Sequence, residues 1–65
     1  MMEDYRKVFR DKRKKLGWSQ YKLAKETGFA QSFINEIESG KKNPSLDGFF
    51  RICEALEIKV FPEEE

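Results

Sequence analysis

Gln31, Ser32, Asn35, Glu36 and Ser39 lie within one short stretch, GFAQSFINEIESG, at spacings that gather five hydrogen-bonding side chains on one side of a helix. At roughly 100° per residue, Ile34 and Ile37 fix the inward direction. Ser32, Asn35, Glu36 and Ser39 then fall opposite it, with Gln31 at the amino end. Gln and Asn pair with adenine through two bonds, Ser donates or accepts, and Glu accepts from cytosine N4. That chemistry suits reading base edges in a DNA major groove. Polar residues opposite an apolar stripe also make an ordinary solvated helix face, and for this helix taken alone that is the commoner outcome.

The surrounding punctuation supplies the elements that would position such a face. Tyr5, Val8, Phe9 and Leu16 recur at helical spacing and Gly17 follows, which predicts a first helix over about 3–16. Ser19 is a good N-cap for a short second helix through Leu23 and Ala24, with Trp18 and Leu23 placed as a hydrophobic staple and Gly28 as the stop. The third helix runs from about Gln31 to Ser39, before Gly40. After the loop KKNPS, Ser45 can cap a fourth helix whose Leu46, Phe49, Phe50, Ile52, Cys53 and Leu56 form an apolar stripe. Gly48 inside it costs about 1 kcal/mol of helix propensity. Val60 and Phe61 are expected to return to the core, and Pro62 with Glu63, Glu64 and Glu65 reads as a solvated acidic tail over 62–65. Two short helices around one glycine break, over about 19–39, make a helix-turn-helix pattern.

Sixty-five residues bound a single small domain, 1–65, whose nine aromatics and aliphatic residues are all needed for a core. The chain is 38% charged and lacks both a membrane-length apolar run and the apolar centre of a secretory signal, so a cytoplasmic location is expected. There is no histidine and one cysteine, which leaves no transition-metal ligand set, no cofactor and no activated nucleophile. Cys53 reads as a small core residue and an enzyme is not expected. Net charge is +1, but residues 1–25 hold nine Lys or Arg against three acids, whereas residues 26–65 hold four against nine. The amino-terminal basic excess suits phosphate contact, and equally a solvated first helix.

Leu16-Gly17, Ser19-Gln20, Leu23-Ala24, Gly28, Ile34, Ile37-Glu38-x-Gly40, Asn43-Pro44-Ser45 and the pattern of the fourth helix resemble, as a set, the Cro and phage-repressor helix-turn-helix family of bacterial and phage regulators. The likeness covers about Phe9 to Leu56. It implies an all-α, four- to five-helix, lambda-repressor-like DNA-binding domain with the third helix in the major groove. By the same resemblance Gln31, Ser32 and Glu36 occupy base-contacting positions, with Asn35 on their flank. Gln20 would reach a phosphate and buttress the third helix; an amide beside unsatisfied N–H groups at a helix start suits an anion, and Ser19 could join it. Ser39, Lys41, Lys42 and Asn43 would meet the sugar-phosphate backbone. Arg13 and Glu38 match a structural ion pair.

The chain departs from the family pattern at Ala30, which cannot cap the third helix, at Glu57 in place of a terminating glycine, and at Pro62, which shortens a fifth helix. Phe33 is expected to pack against the turn rather than touch a thymine methyl. One such module buries only about 600 to 1,000 Å² on DNA, so a homodimer reading a palindromic operator is expected, with Phe49, Ile58, Val60 and Phe61 as candidate dimer residues that are as readily core. The rival reading keeps the fold and makes the chain a protein-binding regulator, such as the antitoxin of a toxin-antitoxin pair, with a small protein partner.

Overall fold

The structure, a computed structural model, describes residues 4–60. It holds four helices: α1 (Tyr5–Lys15), α2 (Gln20–Thr27), α3 (Gln31–Ser39) and α4 (Leu46–Ala55). Phe61 and the acidic tail lie outside the described residues, as does the segment where a fifth helix was expected to be cut short. α2 packs against both α3 and α4, and α1 packs against α3. Each contributes to one core of Phe9, Leu23, Ala24, Ile34, Ile37, Ile52, Cys53 and Leu56.

Local chemistry explains the helix ends. Three of the four helices open on a side-chain oxygen that accepts a backbone N–H: Asp4 from Arg6 at 2.9 Å, Ser19 from Lys22 at 3.0 Å and Ser45 from Gly48 at 3.1 Å. Because Asp4 is the cap, α1 begins at Tyr5, slightly later than periodicity suggests. The Arg6 N–H, with the nearby guanidinium, holds the Asp4 carboxyl below its ordinary range. Ala30 opens α3 with no side-chain bond, leaving the first N–H groups of that helix without a cap.

α2 ends at Gly28, whose φ of 83° is left-handed. A left-handed residue also follows α4, but it is Glu57, at φ 60°. There the Ile58 N–H reaches back to the Cys53 carbonyl at 2.8 Å while the Ile58 side chain packs on the core. Glu57 therefore occupies a glycine position in a six-residue capping turn. A left-handed non-glycine residue costs roughly 1 to 2 kcal/mol, part of which a glycine would return through a looser unfolded chain. Glu57→Gly should stabilise the domain by about 1 kcal/mol net, read as a rise of roughly 4 to 8 °C in Tm; an unchanged or lower Tm would show that the turn carries no such strain.

The fourth helix departs from expectation at two positions. Leu46 is 70% exposed and Phe50 is at the surface, so neither belongs to the buried stripe. At about 100° per residue Phe50 points about 110° away from the direction set by Ile52, Cys53 and Leu56, and Leu46 sits in the first turn, on the rim of an open cleft shared with Tyr5 and Phe49. Gly48 has a positive reason to be small: a Cβ there would stand 3.3 Å from Cζ of Phe29. Phe29 packs edge-on against Phe33 at 5.1 Å, which seats Phe33 on the α2–α3 turn. Across the core, Tyr5, Phe9 and Phe49 form a ring cluster with centroids 5.5 to 5.6 Å apart, tying α1 to α4.

Candidate functional site

α1, α2 and α3 meet in a buried polar chain. Arg13 is 8% and Glu38 7% exposed. The guanidinium grips the carboxylate with two parallel bonds, Nε to Oε2 at 2.8 Å and Nη2 to Oε1 at 2.9 Å, while Nη1 donates to the Trp18 carbonyl at 2.8 Å. Such a fork satisfies both charges out of water and fixes the angle between α1 and α3. Gln20 extends it: its Nε2 donates to Glu38 Oε1 at 3.1 Å, and its Oε1 accepts from Asn35 Nδ2 at 3.3 Å. The carboxylate thus dictates the orientation of one amide, and that amide the orientation of the next.

The outer surface of α3 is polar. Gln31, Ser32, Asn35 and Ser39 are exposed and Glu36 is half-buried, while Ile34 and Ile37 are 1% exposed on the opposite side. Ser19, Lys41, Lys42 and Asn43 are exposed as well, and Gln20 is partly covered by its two bonds. Three of these side chains have partners that sequence reasoning missed. The Asn43 Oδ1 accepts from the Tyr5 hydroxyl at 2.6 Å and from Arg6 Nη2 at 2.9 Å, which leaves its NH2 group to meet an acceptor. Lys42 lies 3.4 Å from Glu36, so the carboxylate of α3 carries its own counter-charge. Ser39 donates its hydroxyl proton to the Glu36 carbonyl at 3.2 Å and offers lone pairs outward. Separations of 37 and 38 residues leave no local signal for the Arg6 and Tyr5 contacts, whereas a basic residue six positions after Glu36, just past a glycine stop, was a readable cue.

A buried threonine and an exposed arginine close the turn. Thr27 donates to the Leu23 carbonyl at 2.9 Å and accepts from the Phe29 N–H, and Arg51 donates to the Thr27 carbonyl at 3.4 Å while its guanidinium lies over the Phe29 ring. A cation from α4 thereby meets the carboxyl end of α2, where the helix dipole favours it. Elsewhere, burial pushes the Cys53 thiol up, so it stays neutral among core side chains. Among the described residues no group of three His, Cys, Asp or Glu is placed to hold a metal, and no helix is long and apolar enough to cross a membrane.

The arrangement is a short helix with an exposed donor and acceptor face, braced from behind by an ion pair and flanked by a loop carrying Lys41, Lys42 and Asn43. Comparison with known proteins points the same way. A family model described as helix-turn-helix matches residues 9–61. Two relatives are each named "Antitoxin HipB". The one from Escherichia coli O6:H1 (strain CFT073) is 40% identical over 48 residues, covering 74% of this chain and 51% of that protein. The one from Escherichia coli K12 is 38% identical over 48 residues, covering 74% of this chain and 54% of that protein. The chain thus spans about half the length of the curated relatives it matches. No solved structure shows a significant match.

Proposed function

The chain belongs to the helix-turn-helix family of Cro and phage repressors, and on that premise we propose that it is a DNA-binding transcriptional regulator, acting as a repressor in the cytoplasm, with α3 in the major groove of double-stranded DNA. The observation that supports this best is the exposed face of Gln31, Ser32, Asn35 and Glu36, braced against α1 and α2 by the Arg13–Glu38–Gln20 chain. In this reading Gln31, Ser32, Asn35 and Glu36 face base edges, and Ser19, Gln20, Ser39, Lys41, Lys42 and Asn43 hold the backbone. Arg13 and Glu38 are scaffold. Gln20 serves the backbone through the second N–H of its Nε2, the other being given to Glu38 while its Oε1 accepts from Asn35.

The unit acts as a homodimer, whose two α3 helices enter half-sites one turn apart, about 34 to 36 Å. Among the dimer candidates Val60 is 43% exposed, whereas Phe49 and Ile58 pack against the core. Selection from a randomised duplex pool across a salt series tests the proposal: a palindromic motif with log affinity falling steeply against log salt is expected. No enrichment and a shallow slope would overturn it.

The antitoxin reading is favoured by the name that both relatives carry. It predicts a complex with a co-encoded small protein that survives high salt, in addition to DNA binding. A phosphate-driven contact would dissociate under those conditions.

A further inference from the structure

We propose that Arg10 and Lys14 of α1 form a backbone-phosphate clamp that extends the DNA interface beyond the helix-turn-helix and its following loop. The inference rests on the DNA-binding reading above. Both residues line an open polar cleft of about 200 Å³ between α1 and the other two helices of the site, with Gln20 and Ser39 on the facing wall. The Arg13–Glu38 pair forms part of the same lining, and its charges cancel. Arg10 lies close enough to favour the charged forms of Asp4 and Asp11, and Lys14 that of Asp11, but neither acid lines the cleft, so these two positive charges face it beside the paired Arg13. Among the described residues neither Arg10 nor Lys14 makes an ion pair or a side-chain hydrogen bond. Asp11 of the same helix is hydrogen-bonded by Lys7 at 2.7 Å and interacts with Arg10 and Lys14 only at longer range.

Two cations at i and i+4 of one helix repel each other, and an anion between them would turn that repulsion into attraction. On the facing wall the second N–H of Gln20 Nε2 is a donor for it, and Ser39 becomes one when its hydroxyl turns from the Glu36 carbonyl. A phosphodiester fits better than a carboxylate ligand, because its charge lies on the strand that α3 must straddle, one helix away. These two side chains would add affinity and register without reading sequence.

The test uses Arg10→Gln, Lys14→Gln, the double variant and Arg10→Lys, each titrated against the selected operator and a scrambled duplex over a salt series, with Tm followed in parallel. Each neutral variant should make the log-log salt slope shallower by about 0.9 for every phosphate it no longer neutralises, and weaken both duplexes by the same factor. Arg10→Lys should keep the parent slope, and all variants the parent Tm. Unchanged slopes in the Gln variants, or a weakening confined to the operator, would overturn the clamp while leaving the DNA-binding reading intact. Failure of the parent chain to bind any duplex would overturn both.

Discussion

Arg13→Ala should cost about 3 to 5 kcal/mol of folding stability, because the carboxylate of Glu38 stays buried after its partner is removed. Only Gln20 would remain to donate to it, at 3.1 Å, and the Trp18 carbonyl would lose its guanidinium bond. A domain of 65 residues rarely has more than a few kcal/mol to lose, so the variant should be largely unfolded at ambient temperature by urea titration and circular dichroism. Arg13→Lys should be intermediate, since an ammonium cannot make the two parallel bonds. Replacing both members with apolar residues of similar size, Arg13→Met with Glu38→Leu, should restore much of the stability. A variant lacking Arg13 that keeps its Tm but loses DNA affinity would refute the scaffold role and make the guanidinium a DNA contact.

Glu36→Gln should relax discrimination between operator sequences by about 1 to 3 kcal/mol, or roughly five- to 150-fold in relative affinity. A carboxylate in the major groove is tolerated where a cytosine amino group faces it and is repelled elsewhere, so its main action is to reject wrong sequences. The amide removes that rejection and accepts adenine. It also frees Lys42, now 3.4 Å from the carboxylate, to meet a phosphate, so affinity for unrelated duplexes should rise and the salt slope steepen. The measurement is competition between the selected operator and a panel of single-base variants. An unchanged ranking of those variants would remove Glu36 from the base-reading set.

The helix ends were legible because their chemistry is local. Ser19 and Ser45 cap within three residues, and Gly28 and Gly40 stop α2 and α3 by their own backbone conformation. The polar face of α3 was legible too, since Ile34 and Ile37 fix the inward direction by periodicity alone. Leu46 and Phe50 misled because α4 carries more apolar side chains than its neighbours can cover, and a stripe in sequence does not show where the covering helices stop. Arg13 and Glu38 came from family resemblance; nothing in their spacing of 25 residues announces a bond. The tether of Asn43 to Tyr5 and Arg6 was invisible for the same reason. Gly48 looked like a weakness of α4 until Phe29 was seen above it.

That tether of Asn43 also bears on how the protein meets a partner. The segment after α3 is anchored at the first turn of α1 by two donors converging on one oxygen. A loop ordered during folding has little conformational entropy left to lose at encounter, so more of each contact it makes appears as affinity. In the proposed DNA-binding reading Tyr5 and Arg6 would act on recognition by preorganisation, from residues that need touch no nucleotide.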